Sequence, residues 1–216
     1  FDIGSSTHVT VRNTTVVNQD DCVALKPGSN FATVTGITCT GSHGLSVGSL
    51  GNSAGTTDTA SPFVLFQGPA NENPAKAVGI KLHEGGPAHG LATVSNVTWS
   101  GITVQNCDYA VQIQSCYDAA NTTNCVANTD KLTGIIFENF SGTTWVGIFP
   151  VEPKALIFNR STKFSPVVAN INCSPSATCD VVLENFTVKP PSGTAQVQCS
   201  NIDDALGATC SGAASG

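Results

Sequence analysis

A short motif, two strand-like stretches broken at a single Asn or Gly, returns along this chain, and few folds accommodate it. It reads Thr10-Val11-Arg12-Asn13-Thr14-Thr15-Val16, then Thr33-Val34-Thr35-Gly36-Ile37-Thr38-Cys39, then Thr93-Val94-Ser95-Asn96-Val97-Thr98-Trp99. Two later stretches, Ile135–Ser141 and Val181–Val188, have the same form, with breaks at Asn139 and Asn185. Apolar and polar residues alternate on both sides of each break, which is the pattern of half-buried strands. Asn and Gly tolerate left-handed backbone, so the break is a tight corner rather than a hairpin. Units of roughly 20–50 residues that cannot bury a face alone stack into a solenoid. The pattern therefore predicts an all-β chain coiled as a right-handed parallel β-helix. A Greek-key sandwich would also show short strands, but it gives no reason for the same corner to return.

The 216 residues fit one domain, read as a single β-helix over 1–216. Charged residues are only 11% of the chain, and 21 Gly with 11 Pro argue against helical bundles. Net charge is −6, which argues against nucleic acid or an anionic membrane as partner. No apolar run is long enough to span a bilayer. Two stretches break the rhythm, Ser61–Asn73 and Trp145–Thr162, and both read as long surface loops; deleting the second would lose no repeat element, so it could equally be non-native sequence. The Cys173 to Cys210 stretch reads as the C-terminal cap that a solenoid needs.

Nine cysteines stand beside no methionine. Cys22 with Cys39, Cys173 with Cys179, and Cys199 with Cys210 lie at small-loop spacings and read as disulfides, while Cys107, Cys116 and Cys125 have no assigned pairing. There is no C-x-x-C, and no histidine stands at zinc-finger distance from a cysteine pair, so no metal or other cofactor is expected. Asn13, Asn96, Asn121, Asn139, Asn159 and Asn185 each precede Ser or Thr by two positions and are glycosylation candidates. Together these features predict a secreted, extracellular protein. Phe1 is neither Met nor the start of a signal peptide, so the chain is read as processed or as a fragment.

The densest polar cluster is Asn18-Gln19-Asp20-Asp21-Cys22. Neighbours on a strand point to opposite faces, so two carboxylates side by side reach one cleft only across a bend. About one coil later comes Thr40-Gly41-Ser42-His43-Gly44, which stacks His43 near the carboxylates with glycines baring its ring. Val78-Gly79-Ile80-Lys81-Leu82 sets a lysine inside an apolar strand, a candidate anion clamp. Gln112-Ile113-Gln114-Ser115-Cys116-Tyr117 ends in a tyrosine suited to the rim of a sugar site.

In this order and at these separations, NQDDC, GSHG, the Ile80-Lys81 pair and IQSCY resemble glycoside hydrolase family 28, the polygalacturonases and related pectin hydrolases. The resemblance implies a right-handed parallel β-helix that hydrolyses α-1,4-galacturonosyl linkages with inversion, using three aspartates. It assigns Asp20 as the general acid and Asp21 as one of two carboxylates that activate water. His43 would orient the acid, and Lys81, Tyr117 and Gln19 would bind substrate. Inversion needs acid and base separated by about 6.5–9.5 Å, which adjacent aspartates meet only if splayed. The family's Asn-Thr-Asp-Gly motif normally precedes a segment like Phe1-Asp2-Ile3-Gly4 and is missing here, which implies an aspartate and N-terminal coils outside this chain. Its usual Arg-Ile-Lys is here Gly79-Ile80-Lys81, so a bidentate carboxylate clamp is lost. The likeness is greatest to fungal exo-acting polygalacturonases, implying a monomer that acts on pectic polysaccharide. A rhamnogalacturonan or xylogalacturonan hydrolase, or an inactive pectin-binding β-helix, are the alternatives.

Overall fold

The computed structural model describes residues 1–60, 64–67, 70–72, 75–119, 122–144, 166–203 and 206–215. Its first coils contain β1 (Asp2–Ile3), β2 (Thr10–Val17), β3 (Val23–Leu25), β4 (Thr33–Thr40), β5 (Leu45–Leu50) and β6 (Thr57–Ala60). There follow β7 (Val64–Gln67), β8 (Ala70–Glu72), β9 (Lys76–His83), β10 (Leu91–Ser100), β11 (Thr103–Cys107) and β12 (Tyr109–Tyr117). The helix α1 (Thr122–Ala127) precedes β13 (Lys131–Thr144), β14 (Val167–Asn172), β15 (Thr178–Phe186), β16 (Gln196–Ser200) and β17 (Cys210–Gly212). All named pairings are parallel, in one sheet ordered β1-β3-β5-β9-β12-β14-β16-β17 and a nine-stranded sheet that contains the rest. The chain is a parallel β-helix.

Register explains the alternation. Leu25, Val47, Ile80, Ile113 and Ile171 pair rung upon rung and point into the coil, where all are buried. Ala24, Ser46, Gly79, Gln112 and Asn170 form the neighbouring outward column of the same sheet. Across the interior Trp99 stacks on Phe137 with centroids 4.7 Å apart, and the Trp99 indole N–H donates to Leu45 O at 3.2 Å. That bond ties the two sheets together and satisfies a donor that would otherwise be stranded in the core.

The recurring corner proves to be two. Asn13 and Gly36 align on neighbouring rungs, as do Asn96 and Gly134, and all have positive φ. Gly101 follows Asn96 and Asn139 follows Gly134 at the same interval, again at positive φ, with Asn185 on the rung next to Asn139. Thr35 pairs with Gln67 and Gln67 with Ser100, so Asn13 and Gly36 stand in the column of Gly101 and Asn139, and the motifs at Asn96 and Asn139 mark different bends of the coil. Asn13, Asn96, Asn139 and Asn185 are exposed at these bends, so left-handed geometry by itself accounts for asparagine there. Asn121 and Asn159 lie outside the described residues.

Ser61–Asn73, expected as a loop, contains β7 and β8, which pair with β4 and with β10 or β11. Short strands flanked by proline and glycine carry too little alternation to be read from sequence. Trp145–Thr162 lies outside the described residues. The Cys173 to Cys210 stretch supplies the last strand of each sheet.

Disulfides join Cys22 to Cys39, Cys173 to Cys179 and Cys199 to Cys210, the pairs read from spacing. A fourth, Cys116–Cys125, fastens the end of β12 to α1 and resolves two of the three unassigned cysteines. Cys107 is a buried thiol whose Sγ donates to Gln105 O at 3.4 Å.

Candidate active site

Turns from three successive coils meet on the outer edge of the eight-stranded sheet. Asp20 and Asp21 occupy the turn from β2 to β3, His43 the turn from β4 to β5, and Lys76 opens β9. Backbone bonds stack them: His43 N donates to Asp20 O at 2.8 Å and Cys22 N to Gly44 O at 2.9 Å. Gly44 has φ +82°, and a Cβ there would collide with the Ala77 and Lys76 carbonyls of the next coil. Only glycine lets that coil approach so closely. The Cys22–Cys39 bridge fixes the residue after Asp21 to the strand that leads toward His43.

The bend between the aspartates sends their side chains into opposite environments. Asp20 is 86% exposed at its side chain, whereas Asp21 is 5% exposed. His43 Nδ1 lies 3.7 Å from Asp20 Oδ1, and Asp21 N donates to that same oxygen at 2.7 Å. Gln19 is exposed beside Asp20 in the same turn.

Asp21 is held from three directions. Lys81 donates to Oδ2 at 2.6 Å, Ser46 donates to Oδ1 at 2.7 Å, and Lys76 Nζ stands 3.6 Å from Oδ1. Burial alone would raise the Asp21 carboxyl, but the Lys76 charge, hydrogen bonds from Lys81 and Ser46, and the Lys81 charge outweigh it. The result lies below the usual carboxylate range. Lys76 also donates to His43 O at 2.9 Å, and burial, partly offset by Asp21, lowers its ammonium to about 8.

Lys81 Nζ sits 5.4 Å from the centre of the Tyr117 ring, so Tyr117 borders the same cluster. Beyond it the His83 ring meets Tyr117 edge-on at 5.8 Å and stacks on His89 at 4.8 Å. Asn128 Nδ2 donates to His83 O at 3.0 Å and to Asp130 Oδ2 at 2.8 Å, and Ala92 N donates to Asp130 Oδ1 at 2.6 Å. Burial outweighs these bonds and pushes the Asp130 carboxyl up to about 6.

Every site residue read from the sequence except Gln19 thus has a defined contact here, but the contacts revise two expectations. Lys81, expected as a free clamp for an anionic sugar, already has its ammonium on Asp21. The adjacent carboxylates, expected to splay by the separation of an inverting pair, offer oxygens within 4.8 Å of each other. Sequence reasoning also missed Lys76 and Ser46, although the logic that picked out a lysine on the strand at Lys81 applies equally at Lys76. Asp20, Asp21 and His43 present ligand atoms close enough to hold an ion, but the two ammonium groups on Asp21 would repel a further cation.

A family model described as glycosyl hydrolases family 28 matches residues 1–148, a span that holds every catalytic and substrate-binding candidate named above. The chain belongs to glycosyl hydrolase family 28. Similar proteins from this family include a probable endo-xylogalacturonan hydrolase A of Aspergillus fumigatus, 48% identical over 100% of this chain and 49% of its own length. Endo-xylogalacturonan hydrolase A of Aspergillus tubingensis is 47% identical over the same shares. The crystal structure of endo-xylogalacturonan hydrolase from Aspergillus tubingensis superposes with a TM-score of 0.85 at 46% identity, covering 100% of this chain and 53% of that one. The chain spans about half the length of the curated relatives it matches.

Proposed function

We propose that this family 28 chain is part of a secreted glycoside hydrolase that cuts the galacturonan backbone of xylose-bearing pectin. The observation that carries the substrate is whole-chain identity of 47–48% to relatives named endo-xylogalacturonan hydrolase. It favours internal cleavage of substituted pectin over the exo-acting polygalacturonase reading. Replacement of the family's arginine by Gly79 agrees, because the site then depends less on clamping a bare acidic sugar.

In this reading exposed Asp20 gives its proton to the glycosidic oxygen, with His43 beside it to orient the carboxyl. Asp21, ionised and fixed, accepts a hydrogen bond from the attacking water. A carboxylate has about four acceptor positions, so the bonds from Lys81 and Ser46 leave room for one. Because one of its oxygens lies within 4.8 Å of one on Asp20, Asp21 orients the water together with a further carboxylate of the full-length enzyme. Tyr117 and Lys81 border the adjoining sugar, and four disulfides suit an oxidising extracellular medium.

The test is product analysis on the full-length protein. Xylogalacturonan should lose chain length rapidly and yield oligomers whose new anomeric centre is inverted. Monomeric galacturonate from unsubstituted polygalacturonate would restore the exo reading, and no release from either polymer would leave a binding module.

A further inference from the structure

Lys76 is a cation sealed inside a site that works on an anionic polymer in the reading above. Its side chain is 4% exposed. It bonds the His43 carbonyl at 2.9 Å and stands 3.6 Å from Asp21 Oδ1, so it cannot at the same time meet a sugar carboxylate in solution. Its stem runs across Gly79: a Cβ at position 79 would lie 2.9 Å from Lys76 Cδ and 3.0 Å from Cε, besides colliding with the Gln112 carbonyl oxygen. Gly79 belongs to the outward column that also holds Ser46, the hydroxyl on Asp21. A side chain at 79 would therefore meet both the lysine stem and the next rung's backbone, and the stem takes this path because position 79 is glycine.

We infer that Lys76 and Gly79 form an interlocked pair in which Lys76 is a positioning residue, setting the Asp21 carboxylate and the His43 turn from beneath. The pair exchanges a charge displayed to substrate for a charge buried under the reacting groups. This inference rests on the reading of Asp20 and Asp21 as the reacting pair. Among the described residues, the groups facing Asp21 are Asp20 beside it, His43 from the turn before β5, Ser46 from β5, and Lys76 and Lys81 from β9. Removing Lys76 leaves Asp21 one cation in place of two.

The decisive variant is Lys76→Met in the full-length protein, which keeps the stem over Gly79 and deletes the charge. Turnover should fall about tenfold or more while KM for xylogalacturonan changes less than about twofold. The acidic limb of the pH profile should move up by about one unit, as expected on loss of a neighbouring opposite charge. Unchanged turnover and an unmoved limb would make Lys76 a filler, and a raised KM with intact turnover would make it a substrate ligand; either overturns the inference. The Asp21 titration followed by carboxyl NMR tests the same point without substrate. A midpoint raised in Lys76→Met supports the pair even if the full-length protein cleaves neither polymer, whereas an unchanged midpoint refutes it whatever the activity. Gly79→Ala also meets the Gln112 carbonyl, so it is read by the Asp21 midpoint rather than by turnover: a midpoint raised as in Lys76→Met supports the interlock, and an unmoved one breaks it.

Discussion

Lys81 Nζ rests 2.6 Å from Asp21 Oδ2, and both side chains are at most one-tenth exposed. Truncating one member of a buried pair strands the other charge. Lys81→Ala should therefore cost about 3 kcal/mol, near the lower end for such losses because Lys76 remains within reach of Asp21. Turnover should fall with stability, because Asp21 loses the bond that fixes it. Denaturant midpoints and steady-state kinetics measure both.

Asp20 offers a cleaner separation of stability from chemistry, since its carboxyl is 86% exposed. Asp20→Asn should leave the melting temperature within about a degree and lower turnover by roughly 10²–10⁴-fold, the usual share of a general acid. Activity within a few-fold of wild type would assign the proton donor elsewhere.

Asp130 predicts an acid-favoured stability. Its native carboxyl lies at about 6 and its unfolded one near 3.8, so the folded chain binds more protons between those values. That contribution is full below about pH 4 and is lost as pH rises through 6. It amounts to roughly 2–3 kcal/mol. Thermal melts of wild type and Asp130→Asn from pH 4 to 7 should lie closest at the acid end, where both side chains are neutral, and separate as pH rises through 6, with wild type losing stability that the variant keeps.

The Cys22–Cys39 bridge closes a loop whose ends are 17 residues apart. Replacing both cysteines by serine should cost about 3 kcal/mol by chain entropy. Because Cys22 adjoins Asp21, activity should decline at milder denaturant than the far-ultraviolet circular dichroism of the coil. Coincident transitions would mean that the bridge stabilises the coil without ordering the turn.

The coil itself was legible because its cause is local. Alternation and a left-handed corner are written into every few residues, and Asp20, Asp21 and His43 sit in turns that stack once the coil is assumed. Cys116–Cys125 could have been found by the small-loop spacing that found the other pairs. Lys76 was harder to see. It opens a strand, where a lysine is ordinarily solvated, and only the close approach of the His43 turn, permitted by Gly44, seals it from water. The two corners merged into one for a related reason: Asn and Gly serve both, and only register separates Asn96 from Gly101 as bends of one coil.

Those bends bear on how sugar chains could decorate the surface. Asn139 and Asn185 occupy adjacent rungs, with Asn185 Nδ2 donating to Asn139 Oδ1 at 2.9 Å. Rungs in a sheet repeat at about 4.8 Å, far narrower than a branched oligosaccharide. Occupancy at the two positions is therefore mutually exclusive on steric grounds. A coil that supplies acceptor sequences at its bends also rations them, and the mass of the mature glycoform should reflect at most one chain on that pair.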